Sequence, residues 1–267
     1  MFGTTAVADS QTIRPTVCNH CSALRAVSFG IDPQRYDAVR PGYPPEVVER
    51  LTGGCAATVL DVGAGTGLAG RSFAEVGCEV LAVEPDPRMA EVAREAGLDV
   101  EVSRFEEWEP GERRFDVAVC AQAWWWLDRE VALTKCAAVL VPGGRLGVVW
   151  NAGGVLDPLT LALSEVYERV GRGKLREPML PGGLSPDVQG DLEADDRFAK
   201  VALERFEWER RYPCDDWLAA ACTFGDVIGA DTETRAALLR EVRAAIDQHG
   251  GYRDVAVITT LVTAVRR

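Results

Sequence analysis

The segment LDVGAGTGLAG, residues 60–70, limits what this chain can fold into more than any other. The apolar, β-branched run that leads into it, AATVLDVG, predicts a short buried strand, and LAGRSFAEVG after it predicts a helix stopped by Gly77. Between them stand Gly63, Gly65 and Gly67, with Gly70 one turn further on. Glycine loses more conformational entropy on folding than any other residue. A cluster of it therefore marks a sharp turn, a positive φ, or a ligand pressed against the main chain. We read the cluster as ligand-facing, with Asp61 placed just before the backbone is bared.

The same strand-to-helix alternation continues on both sides. YPPEVVERL predicts a helix opened by its proline pair, with Val47, Val48 and Leu51 on one face. CEVLAVEPD predicts a second strand, and DPRMAEVAREAG a helix with Pro87 in its first turn and Gly97 beyond its end. LDVEVSRFEEW, FDVAVCAQAW and GRLGVVWN predict further strands, with a helix through REVALTKCAAVL before the last of them. The order β-α-β-α-β-(α)-β-α-β with apolar strands calls for a parallel sheet covered on both faces. Right-handed crossovers make it a doubly wound, Rossmann-like α/β fold.

After Asn151 the alternation breaks. Residues 152–200 carry glycine-proline clusters, REPMLPGGLSP among them, around the helical stretch PLTLALSEVYERVG. They are expected to form an inserted lid on the substrate side of the sheet. KVALERFEWERRY then predicts a strand, DDWLAAACTF and ETRAALLREVRAAIDQH two helices, and DVAVITTLVTAV the seventh strand, expected to run antiparallel. Residues 1–27 hold no sustained period and are expected to be a flexible leader to one domain over 28–267.

With 267 residues, 47% of them hydrophobic, the chain can bury a sizeable core. No run of 18 apolar residues and no secretory signal are visible, so no membrane association is expected and a cytoplasmic location is. A net charge of −12 opposes a nucleic-acid surface and fits a neutral or cationic small-molecule partner more easily. The eight cysteines are expected to be free thiols, with Cys55, Cys78, Cys120, Cys136 and Cys222 acting as compact hydrophobes. Cys18, His20 and Cys21 in CNHC offer metal-ligand spacing, but no second pair completes a tetrahedral site, so no metal is expected.

In open α/β sheets ligands bind beyond the carboxyl ends of the strands, where the strand order reverses. GTGLAG, Gly65 to Gly70, satisfies the GxGxxG pattern of dinucleotide-binding proteins, and Glu84 ends the second strand where it could hold a ribose. A nicotinamide-dependent oxidoreductase is thus one alternative. Asp61 weighs against it, because a carboxylate at that loop repels a pyrophosphate and suits a ligand that carries positive charge.

LDVGAGTG, VEPDPRM and FDVAVCAQAWWW resemble the class I methyltransferases that use S-adenosylmethionine, over about Ser28 to Arg267. YDAVRPGYP with AQAW resembles the small-molecule branch that includes trans-aconitate methyltransferase-like enzymes. The resemblance implies S-adenosylmethionine as cofactor and methyl transfer to O, N or S of a small molecule, with secondary metabolism as the setting. Position by position, it implies that Asp61, Gly63 and Gly65 line the methionine part and that Glu84 takes both ribose hydroxyls. It implies that Met89 packs near the adenine, that Phe105 and Glu106 flank its edge, and that Ala121 and Gln122 lie along the sulfonium side. Ala64, Thr66, Gly67 and Pro85 complete the implied cofactor set.

The chain departs from that branch in one position. Relatives usually read AQAWHW, whereas this chain has Trp124, Trp125 and Trp126, which leaves the mouth of the fourth strand without a histidine base. Three options stay open: an acceptor that reacts without a strong base, Tyr36 or Asp128 as the base, or a protein that binds the cofactor without transferring methyl. Trp124, Trp125 and Trp150, with Asn151, are expected at the acceptor, and Trp126 is expected to pack under the lid. Tyr36, Arg40 and Tyr43 are expected to close over the cofactor from the N-terminal side. Arg40 either holds an acceptor carboxylate or pairs with a neighbouring acid.

Overall fold

Runs rich in valine, leucine and alanine form the strands of a single sheet. The computed structural model describes residues 27–154, 157–176 and 187–267. The leader, but for Val27, lies outside the described residues, and with it Cys18, His20 and Cys21; so does most of REPMLPGGLSP.

A 3-10 turn at Val27–Ile31 precedes α1 (Pro33–Val39) and α2 (Pro45–Thr52). Then come β1 (Thr58–Val62), α3 (Leu68–Ala74), β2 (Glu79–Glu84), α4 (Pro87–Glu95), β3 (Asp99–Val102) and β4 (Phe115–Ala121). A second 3-10 turn, Trp124–Trp126, leads to α5 (Arg129–Val139) and β5 (Leu140–Gly153). The rest comprises α6 (Pro158–Val170), α7 (Val188–Glu193), β6 (Phe198–Pro213), α8 (Cys214–Ala221), α9 (Gly225–Ile228), α10 (Thr232–Gln248) and β7 (Tyr252–Arg266). Prolines open α1, α2, α4 and α6, where a missing N–H costs nothing.

The seven strands lie in the order β3-β2-β1-β4-β5-β7-β6. β1 to β5 are mutually parallel, and β7 runs antiparallel between β5 and β6, as the sequence predicts for the last strand. Asp61 registers with Ala82 and Val119, so the carboxyl ends of β1, β2 and β4 come level. The strand order reverses between β1 and β4. That crevice is where the glycine loop emerges.

One parenthetical expectation fails. No helix joins β3 to β4; a turn at residues 104–108 does so, closed by Trp108 N–H to the Arg104 carbonyl at 2.9 Å. The Lys135 ammonium, on α5, donates to the Phe105 carbonyl at 3.0 Å and holds that turn against the sheet.

Both faces of the sheet are covered, and β1 is accordingly buried on both: Val59 and Leu60 have no exposed surface. Val47, Val48 and Leu51 of α2 pack with Phe73 of α3 on one face. α5 and the Val188 and Leu192 side chains of α7 cover the other. A separate cluster joins Leu163 and Tyr167 of α6 to Trp217 of α8 and to Leu238 and Ile246 of α10. Residues 152–200 thus divide, α6 entering this cap and α7 the sheet.

The N-terminal segment is held in place from several parts of the chain. Arg71 on α3 forms a bidentate pair with Asp37 on α1 at 2.6 and 3.1 Å. The connector from α1 to α2 is fixed from the far end of the chain. Arg210 donates to the Arg40 carbonyl at 2.7 Å, the Tyr212 hydroxyl to the Val39 carbonyl at 3.1 Å, and the Asn151 amide to the Gly42 carbonyl at 3.0 Å.

Candidate active site

The strand end forces Asp61 inward. Its side chain has no exposed surface; Oδ2 accepts the Gly70 N–H at 2.9 Å, and Oδ1 is buried with no hydrogen-bond partner. Burial pushes this carboxyl up to about 7, against the pull of the Gly70 N–H, and the nearby Glu84 charge adds to the rise. Gly70 is required here, because a Cβ at that position would lie 2.9 Å from Oδ2. A buried carboxylate oxygen without a partner costs free energy, and a cation arriving beside it would lower that cost.

The loop that follows is bare backbone. Gly63 has φ 68°, and a Cβ there would come within 2.6 Å of the Ala123 Cβ, so the loop and the β4 mouth touch main chain to side chain. Gly65 has φ 59°, and its N–H donates to Glu84 Oε2 at 2.8 Å. Glu84 Oε1 accepts the Asp86 N–H at 2.9 Å. Burial raises Glu84 to about 7 as well, opposed by these two backbone donors. Each of its oxygens keeps a further lone pair, which suits a vicinal diol.

A cavity of about 340 Å³ opens over these groups. From the loop it is lined by Gly63, Ala64, Gly65 and Thr66, and from the end of β2 by Glu84, Pro85 and Met89. Phe105 and Glu106 of the 104–108 turn and Ala121, Gln122 and Trp125 at the β4 mouth form the opposite wall. Tyr36, Arg40 and Tyr43 close it from the N-terminal side. Gln122 has φ 57°, unusual for a residue with a side chain, and its amide lies 3.4 Å from the Asn151 carbonyl. Burial, with Tyr36 and Asp61 adding, holds the Tyr43 phenol well above the usual tyrosine range, so Tyr43 is a hydroxyl donor.

Several expected residues lie elsewhere. Trp124 has no exposed surface and packs with Ala132 and Cys136 in the core, and Trp150 is buried in the same cluster; neither lines the cavity. Of three consecutive tryptophans on a tight turn, one must point inward, and it is Trp124. Asp128 is also not at the cavity, because its carboxylate accepts the Val131 N–H at 3.1 Å and caps α5. Gly67, with φ 83°, opens α3 and packs on Leu98. Asp61 is buried behind the loop residues that line the cavity. No described residue of 152–200 belongs to the lining.

Arg40 pairs with no neighbouring acid among the described residues. Its Nε and Nη2 donate to the Thr223 hydroxyl and carbonyl at 2.9 and 2.8 Å, and its guanidinium lies over the Phe224 and Tyr36 rings at 3.9 and 4.8 Å. Sequence reading gave no site role to Phe29 or Arg104 and placed Trp126 under a lid, yet all three line the cavity. The Phe29 ring meets Tyr36 and Trp126 edge to face, at 6.1 and 6.0 Å. An aromatic seven positions before Tyr36 of YDAVRPGYP was the available signal for Phe29. Thr223 had none. Cys55 is exposed, contrary to the hydrophobic role expected of it, while Cys78, Cys120, Cys136 and Cys214 are buried free thiols.

The donor set fits a cationic, phosphate-free ligand with a diol. The loop offers backbone and carboxylates but no basic side chain, so the pyrophosphate of a nicotinamide cofactor finds no counter-charge there. The residues present fit S-adenosylmethionine.

A family profile described as a methyltransferase domain matches residues 59–144. The solved structure of a protein from Anaeromyxobacter dehalogenans, provisionally assigned as a type II methyltransferase, is 26% identical at a TM-score of 0.57, covering 85% of this chain and 97% of that one. Phosphoethanolamine N-methyltransferase 2 of Haemonchus contortus, crystallised with phosphomonomethylethanolamine and S-adenosylhomocysteine, shares the fold at 15% identity and a TM-score of 0.54, over 94% of this chain and 60% of that one. An uncharacterised methyltransferase of Mycobacterium tuberculosis is 43% identical over 227 residues, 84% of this chain and 87% of its own length. The chain belongs to the class I methyltransferases, enzymes whose cofactor is S-adenosylmethionine.

Proposed function

We propose that this enzyme methylates an O, N or S atom of a small molecule, and that the 340 Å³ cavity holds both cofactor and acceptor. The observation that supports the reading most directly is the buried, unpartnered Asp61 Oδ1 behind a glycine-bared loop. Gly63, Ala64 and Gly65, with the Asp61 carboxylate buried behind them, would hold the amino-acid part of the cofactor, and Glu84 with Pro85 its ribose. Met89, Phe105 and Glu106 would enclose the adenine, while Ala121 and Gln122 would flank the sulfur. Bound there, S-adenosylmethionine supplies an electrophilic methyl group on a sulfonium centre.

The chain's own contribution is positioning and exclusion of water. In-line displacement needs the acceptor held near attack distance, and this alone supplies much of a methyltransferase's rate. Trp125, Trp126, Phe29 and Tyr36 would form the walls that orient the acceptor. Tyr43 would donate a hydrogen bond.

Calorimetric titration with S-adenosylmethionine and S-adenosylhomocysteine tests the cofactor half, on wild type and Asp61→Ala. Binding by wild type that the variant loses supports it, and no binding by folded wild type refutes it. Mass analysis of acceptors after incubation tests the other half: a gain of one methyl group excludes a protein that only binds the cofactor.

A further inference from the structure

The acceptor side of the cavity is unusual in what surrounds it. Phe29, Tyr36, Trp125 and Trp126 supply flat apolar walls. Among the described residues its cations are Arg104 and Arg40. Arg104 is paired with Glu106 and Glu107 at 3.8 and 3.5 Å, whereas Arg40 has no carboxylate partner among the described residues. The guanidinium is partly buried, held at one edge by Thr223 and stacked between rings, so its charge is delivered to the cavity rather than cancelled.

Among the described residues, the lining also lacks one suited to take a proton from an acceptor. Its acids are Glu84, engaged by two backbone N–H groups at the ribose end, and Glu106, which accepts the Asp128 N–H at 3.0 Å and faces Arg104. Asp61 lies behind the loop. No described histidine lines the cavity; His249 sits at the end of α10, where its Nδ1 meets the Ala245 carbonyl at 2.7 Å. The remaining titratable groups are the phenols Tyr36 and Tyr43. Around Arg40 itself, α1 contributes Tyr36, and β6 contributes Arg210 and Tyr212, neither of them an acid.

Resting on the methyltransferase reading above, we propose that the acceptor is a flat aromatic molecule that enters already ionised, a phenolate or an aryl thiolate, drawn by Arg40 rather than deprotonated by the protein. The acceptor's proton goes to solvent before binding. The anionic O or S then forms a bond to the methyl carbon as the carbon–sulfonium bond breaks, and that bond's electron pair stays on the cofactor sulfur. An anion and a cation become a neutral ether or thioether and neutral S-adenosylhomocysteine. Arg40 holds one edge for an anion, since its Nε and Nη2 are already engaged.

The test is a pH series of kcat/KM with wild-type enzyme on phenol, 4-cyanophenol, 4-nitrophenol and thiophenol, read by mass of the methylated product. The expected rate rises with pH and levels off at a break that moves with each acceptor's own ionisation. The phenol and thiophenol arms separate an oxygen from a sulfur acceptor. A break at one pH for every acceptor would reveal a protein base and overturn the proposal. Absence of transfer to all of them, by protein that binds S-adenosylhomocysteine, would overturn it and leave the cofactor reading intact. Failure to bind S-adenosylhomocysteine would instead remove the reading beneath it. Arg40→Gln is expected to lower kcat/KM on the ionised acceptors about tenfold, measured with saturating S-adenosylmethionine, with partial recovery in Arg40→Lys. Equal kcat/KM in Arg40→Gln and wild type would also overturn it.

Discussion

Asp61 and Glu84 end adjacent strands, are buried together, and are both raised to about 7. Binding a cation at Asp61 therefore requires the carboxyl to lose a proton first. Affinity for S-adenosylmethionine should rise with pH up to about 7 and then level off, with proton release at pH 6 visible by calorimetry in buffers of different ionisation enthalpy. Asp61→Asn should flatten that dependence and weaken binding by about tenfold to a hundredfold, through loss of the charge-assisted contact. Gly63 is the second residue whose chemistry is dictated by place. Gly63→Ala forces a Cβ at positive φ to within 2.6 Å of Ala123, and urea denaturation should register a loss of about 1–3 kcal/mol.

Elements far apart in the chain meet over the cavity, and the α1–α2 connector is where they meet. Asn151 on β5 donates to the Gly42 carbonyl and accepts from the Thr259 hydroxyl of β7 at 2.6 Å, which in turn accepts the Trp208 indole N–H of β6 at 2.8 Å. Asn151→Ala leaves a part-buried carbonyl and a hydroxyl short of partners. It should cost about 1–3 kcal/mol and speed hydrogen exchange at residues 39–44. The Arg71–Asp37 pair that docks α1 on α3 is about three-quarters buried on both sides. A double-mutant cycle to alanine should return a coupling of about 1 kcal/mol, above the usual surface pair because the contact is bidentate. These contacts were not legible beforehand: Arg40 meets Thr223 across 183 residues and Asn151 meets Gly42 across 109, distances over which no local pattern in the sequence reaches.

For the whole molecule, the two raised carboxyls set a stability slope. Unfolded, they ionise near 4; folded, near 7, so the native state binds more protons between these values. Stability in the absence of cofactor should therefore fall as pH rises from about 4 to 7 and flatten above, which urea midpoints across that range would measure. Surface acids paired with arginine, such as Asp254 with Arg211, are held below their ordinary range and act in the other direction, under more acidic conditions. The sequence by itself determined the alternating strands and helices, the glycine loop and the acids at two strand ends, because period, capping and turn chemistry act over a few residues. It likewise carried the missing histidine, a matter of residue identity alone. Only tertiary structure decided that Trp124 and Trp150 go to the core while Trp126 and Phe29 face the cavity, that Asp128 serves as a helix cap, and that Arg40 is anchored by Thr223. Each of those depends on which surfaces packing brings together, and burial is a property of the assembled sheet and its covering helices rather than of any segment within it.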